Sequence, residues 1–355
     1  MTSSSSELQQ ATERQLKARP WIRAWLMVVA FLVLAIVVVG GATRLTDSGL
    51  SITEWKPLLG AIPPLSHADW LEAFEKYKQI PQYQLVNKGM SLEEFQFIYW
   101  WEWAHRFFAR IIGAVVLIPM LFFWFTGRLE RWLAPRLIGL FVLGGLQGAM
   151  GWYMVASGLS ERTSVSQYRL AAHLGLAVIV FGVIVWVILE LGRRHPVRIA
   201  SGLGQHGAKW LVAMIFVQVL LGGLVAGLDA GMGYNTWPLM DGALIPAGLF
   251  HMSPWWINAF ENAMTVQFNH RMLAYLIALV VVIHCVFVHR KGLSAAVRTS
   301  SLVLVALVFL QAAAGILTLI YQVPLTLALI HQAGAVILLG AALWHLDRTL
   351  QPSLP

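Results

Sequence analysis

The chain has 355 residues, 58% of them hydrophobic, with a mean hydropathy of +0.68, too apolar for a soluble globular protein. Its net charge of +8 would suit a nucleic-acid surface, but the basic residues gather in short connections between apolar runs. That is the charge bias of membrane topology, so nucleic acid is not needed to explain it.

In chain order, residues 1–22 are polar and lack the apolar core of a secretory signal. They read as a short disordered cytoplasmic tail. Eight apolar runs follow: Trp25–Thr43, Phe107–Phe125, Leu137–Ala156, Leu170–Leu189, Leu211–Leu228, Met272–Val288, Leu302–Ile320 and Leu325–Leu343. Each approaches the ~20 residues that cross a hydrocarbon core as a helix. Arg14, Lys17, Arg19 and Arg23 precede the first run. Further basic residues fill the connections at 128–136, 193–209 and 290–298, and Arg348 follows the last run. The short connection on the other side has only Arg162 and Arg169. Positive charge inside puts both termini in the cytoplasm, with the bacterial inner membrane as the expected location. The single cysteine, Cys285, rules out an intramolecular disulfide and reads as a small buried hydrophobe.

The chain is internally duplicated. Gly40–Trp55 aligns without a gap on Gly222–Trp237, sharing the glycine pair, Asp47 with Asp229, Gly49 with Gly231, and the final tryptophan. His105-Arg106 matches His270-Arg271, and Gln147 and Gly151 match Gln311 and Gly315. The expected fold is therefore an all-α integral membrane protein with eight transmembrane helices, arranged as two tandem four-helix bundles in a pseudo-twofold repeat. The expected divisions are a tail (1–22), an N-terminal half (23–192), a cytoplasmic linker (193–209), a C-terminal half (210–346) and a second tail (347–355). The outer loops after the first and fifth runs, roughly 60 and 40 residues long, are long enough to be lids or binding loops.

Histidines are the chemical signal. His105, His173, His270 and His331 all fall near the outer ends of even-numbered runs. One ionisable residue in such a place is most often structural; four at one depth in duplicated positions are not. Two histidines on facing helices of a bundle are suited to be axial ligands of haem iron, here His105 with His173 and His270 with His331. Ala171, Ala172, Gly175, Ala333, Gly334 and Ala335 offer room for a flat macrocycle, and Arg106 and Arg271 are placed to meet propionates. A zinc site is a poorer fit, because each half pairs two histidines on separate helices with no cysteine beside them. His67, His195, His206 and His251 fall in loops by this reading. His284 and His345 lie 14 residues beyond His270 and His331, about 21 Å along a helix, which leaves open a further haem at the inner side.

The halves differ at one position. Glu102 stands three residues before His105, and Gln267 stands three before His270. On a helix those residues share a face with the histidine. A carboxylate relays protons and an amide does not, so the N-terminal half is the expected reaction site and the C-terminal half an electron-carrying one.

With these residues in view, the chain after about residue 20 resembles the haem A synthase family, in its mitochondrial and alphaproteobacterial form. The resemblance rests on Gly40–Trp55, Glu102-x-x-His105-Arg106, Gln147-x-x-x-Gly151, the His173 helix, Leu228–Pro238, Phe268–Arg271 and His331-Gln332. It implies oxidation of the C8 methyl of haem O to the formyl group of haem A through hydroxylated intermediates, in cytochrome oxidase biogenesis. It further implies substrate haem O on His105 and His173 with Glu102 nearby, and a resident haem b on His270 and His331. A haem O synthase and cytochrome oxidase assembly factors are the implied neighbours, and a homo-oligomer is compatible. The cysteine pair that some members carry in an outer loop is not in this sequence. The rival reading is a bis-histidine b-type electron carrier linked to quinol. A transporter would account for the repeat but not for the histidine pairs.

Overall fold

A computed structural model describes residues 2–56, 59–160, 162–193 and 202–350. Eight long helices, numbered here in chain order, form it: α1 (Thr2–Leu45), α2 (Leu92–Phe125), α3 (Ala134–Ala156), α4 (Gln167–Leu191), α5 (Leu203–Gly227), α6 (Ala263–Arg290), α7 (Ala295–Ile320) and α8 (Leu325–Leu350). All eight are long and apolar enough to span a membrane. Among the described residues there is no strand, only the isolated bridge between Met240 and Ala243. Arg194, His195 and Arg198 of the expected linker lie outside the described residues.

Helix packing follows from where each apolar stripe lies. On α1, Ile22, Leu26, Val29, Val33 and Val37 are buried at helical spacing, while Trp21 and Phe31 point outward. In the first half α1 packs on α2 and α4, and α3 on α2 and α4; in the second, α5 packs on α6 and α8, and α7 on α6 and α8. The four-helix groups meet through α1 with α8, α4 with α5, and α4 with α8. Small residues allow these approaches. A Cβ on Gly223 would lie 3.0 Å from the Cα of Ala171, and one on Gly227 only 2.6 Å from the Cα of Gln167. Gly41 of α1 sits under the Gln332 side chain of α8, whose Nε2 donates to Val37 O (2.9 Å).

Two expectations change here. The polar N-terminal stretch is helical from Thr2 rather than disordered, and two side chains in its second half have partners at the α2–α3 connection. Gln15 donates to Leu129 O (3.1 Å), and Arg19 makes a two-pronged pair with Glu130 (2.6 and 2.8 Å). His206 stands in the first turn of α5 and His67 opens a short helix, so neither is a plain loop residue.

The loop between α1 and α2 is built, not loose. Its helix His67–Tyr77 starts with a Ser66/Asp69 capping box. It packs Phe74 and Tyr77 against Phe95 of α2, with Phe74 and Phe95 stacked at 4.9 Å. This explains why α2 begins 13 residues before His105: its first turns are the floor on which the loop folds. Burial of the Tyr77 hydroxyl pushes its pKa up to about 12.

Candidate haem site

Each of the four histidines rests on a glycine of the neighbouring odd-numbered helix. A Cβ on Gly40 (α1) would be 3.1 Å from Nε2 of His105, and one on Gly151 (α3) 3.1 Å from Cε1 of His173. On Gly222 (α5) it would be 3.3 Å from Cε1 of His270, and on Gly315 (α7) 2.7 Å from Cε1 of His331. Every one of these glycines stands five residues before the end of its helix. The rings are therefore seated at one register, where a side chain on the neighbour would take their space.

Glutamines four residues before three of those glycines, one helical turn away, hold the rings. Gln147, Gln218 and Gln311 donate to the backbone carbonyls of His173, His270 and His331 (3.1, 2.9 and 2.7 Å). Each amide nitrogen also lies 3.1 Å from Nδ1 of the same ring. The amide NH2 meets the ring as a donor, whereas a metal-bound imidazole gives the N–H away from the metal to an acceptor, here the oxygen of the same amide. Oε1 of Gln147 and of Gln218 is buried without a partner, ready for an Nδ1–H once the amide turns.

The second-half pair fits a shared metal. The rings of His270 and His331 have centroids 6.4 Å apart at 79°. Two metal–imidazole bonds of about 2 Å each, plus the depth of each ring, fill that separation. His284 and His345 fail the same test. Their Nε2 atoms are 2.8 Å apart in a direct hydrogen bond, and Ser300 Oγ lies 2.8 Å from His345 Nδ1. An ion between two nitrogens needs about 4 Å, so this pair is joined directly and has no space for an ion between its rings as they stand. Replacing both with phenylalanine is expected to leave the haem-to-protein ratio unchanged, as read from a pyridine haemochrome assay.

The residues beside the histidines hold the loops. Glu102 is 2% exposed; its Oε2 accepts from Ser51 Oγ (2.8 Å) and Ile52 N (2.7 Å), and its Oε1 from Arg106 (2.6 Å). Arg106 also donates to Ile52 O and Glu54 O. Glu54 is held below the usual carboxylate range by Lys56 and Lys76. In the second half Gln267, 3% exposed, donates to Ala230 O (2.6 Å) and Gly233 O (3.2 Å) and accepts from Arg271 (2.9 Å). Arg271 reaches Tyr234 O and Thr236 O. The arginines expected to face propionates thus direct these donors to loop carbonyls, although Arg271 Nε remains buried without a partner. Across the halves, Arg44 pairs with Asp229 (2.6 Å) and lies 3.5 Å from Asp47, whose pKa burial raises.

Three of the six small residues near the histidines make helix contacts. Ala171 and Gly175 face α5, against Gly223 and Leu220, and Gly334 faces Gln311. They bring helices together. Cys285 is buried and accepts from Ser301 Oγ (3.4 Å). Sequence reading alone missed Ser51 and the glycine seats. It also left Gln218-x-x-x-Gly222 unjoined to the two matching motifs in α3 and α7, though that recurrence was there to be read.

Residues 23–343 match the model of the COX15-CtaA family, described as cytochrome oxidase assembly protein. The chain belongs to that family. Two similar proteins are each 55% identical over 334 residues, 94% of this chain, and each is named "Heme A synthase": one from Chelativorans sp. (strain BNC1), of which 92% is covered, and one from Brucella ovis, of which 93% is covered. In family terms, the matched region contains all four histidines, the three glutamines and both outer loops.

Proposed function

We propose that this chain is a haem A synthase, which oxidises the C8 methyl of haem O to a formyl group. The observation behind this reading is the family membership joined to a seat for each of four histidines, one opposed pair having the spacing of two ligands on one ion. The two four-helix groups are read as a pseudo-twofold repeat along the membrane normal, with the glycine-seated ends facing outward and both termini cytoplasmic.

His105 and His173 hold substrate haem O in the N-terminal half. His270 and His331 hold a resident haem b in the C-terminal half, and that group supplies one-electron transfer when bound. Methyl oxidation removes protons as well as electrons and adds one oxygen atom. Glu102 is the carboxylate placed to take a proton, in the half where Gln267 has no equivalent ability. Arg106 and Ser51 fix its oxygens. Arg106 and Arg271 orient the outer loops over the two sites, and Arg271 Nε is free to meet a propionate. Haem O reaches the site from the bilayer or from the enzyme that makes it, and the product passes to cytochrome oxidase assembly.

Extracting and chromatographing the pigments of the purified chain tests the reading. Haem b together with haem O, hydroxylated haem or haem A is expected. Haem b alone, with quinol oxidation, would mean an electron carrier instead.

A further inference from the structure

Three of the four histidines are tied down and one is not. The Gln-x-x-x-Gly motif recurs as Gln147–Gly151, Gln218–Gly222 and Gln311–Gly315. The fourth glycine seat, Gly40, has Ile36 at the position of the glutamine. Ile36 and Gly40 are one turn apart on the same face of α1. An isoleucine can neither donate to the carbonyl of His105 nor reach its ring nitrogens with a hydrogen bond. Among the described residues, the His105 ring has no hydrogen-bond partner.

We propose that His105 is the exchangeable ligand of the four, and that Ile36 is the positioning residue that leaves it so. His173, held by Gln147, stays in place. With haem bound, His105 would be free to leave it for the Gly40 seat, which would open the N-terminal site to an added ligand. The C-terminal pair, held by Gln218 and Gln311, stays closed to added ligands. This rests on the two-haem reading above. Partners of this kind change metal affinity by roughly 10- to 100-fold, so one isoleucine in place of glutamine is enough to separate a labile site from a fixed one.

Carbon monoxide binding to the dithionite-reduced, detergent-purified full chain is the test, followed by its difference spectrum and stopped-flow rate. In the unmodified chain one of two haems is expected to bind. Ile36→Gln is expected to slow that binding about tenfold or more, and Ile36→Leu to leave it unchanged. Gln218→Ile is expected to make the second haem reactive while the first keeps its rate. Ile36→Gln binding at the original rate, or Gln218→Ile leaving the second haem inert, would overturn the proposal. A chain that carries no haem and takes up none on hemin titration would instead defeat the two-haem reading.

Discussion

Glu102→Gln is expected to leave haem bound and to lower product formation by roughly 10²-fold or more, the range lost when a proton-transferring group is removed. The geometry makes this substitution more than a loss of charge. All three partners of Glu102 are donors: Arg106, Ser51 Oγ and Ile52 N. A glutamine keeps one acceptor oxygen for Arg106 but turns an NH2 toward the Ile52 N–H, donor against donor. Leaving that half-buried N–H unmatched costs up to about 1–3 kcal/mol, which will loosen the loop after α1. A structural and a chemical effect must therefore be separated. Ser51→Ala removes one donor from the same carboxylate oxygen and keeps its charge. If Glu102 only clamped the loop, the two variants would lose thermal stability and product in the same proportion. If it moves a proton, Glu102→Gln loses far more product than Ser51→Ala at comparable stability. Normal haem A from Glu102→Gln would remove Glu102 from the chemistry.

The second half shows that an amide can do the clamping. Gln267 succeeds because Ala230 O and Gly233 O offer acceptors where Ile52 offers a donor. The contrast between Glu102 and Gln267 was legible in the sequence; the reversal in loop polarity that matches it was not, since it depends on which backbone atoms the loops turn inward. The same limit explains the other differences. Helix positions were readable because hydrocarbon demands long apolar runs. The histidines were readable because ionisable groups are rare there. What each histidine touches depends on helix rotation, which eight uniformly apolar runs do not encode. Arg106 and Arg271 illustrate this: an arginine beside a histidine at a membrane rim suits a propionate or a loop carbonyl equally well until the loop is in place. His284 and His345 are the opposite case, a spacing that left a further haem open where the two rings hydrogen-bond to each other at 2.8 Å.

Alanine at each glycine seat should grade haem loss by how far the ring can retreat. At Gly315 the added Cβ would lie 2.7 Å from His331 Cε1, closer than such atoms come in proteins. His331 is restrained from swinging aside, because Gln311 lies 3.1 Å from its Nδ1 as well as 2.7 Å from its carbonyl, and Gly334 of α8 lies against Gln311 in turn. The full overpacking cost of about 1–3 kcal/mol therefore falls on the ligand itself. Gly315→Ala is expected to lose the bis-histidine low-spin spectrum of the second site. Gly151→Ala, at 3.1 Å from a held ring, should weaken the first site, and Gly222→Ala, at 3.3 Å, should do least among the held three. Gly40→Ala is the informative member. Its contact is also 3.1 Å, but the His105 ring has no glutamine holding it and can turn away. Haem content should then survive in Gly40→Ala where Gly151→Ala loses it, although the two contacts are equally tight. Haem-to-protein ratios and low-spin absorbance of the four variants measure this order. Equal loss from Gly40→Ala and Gly151→Ala would mean that contact distance alone governs the sites, and that the glutamines are incidental to how the rings are held.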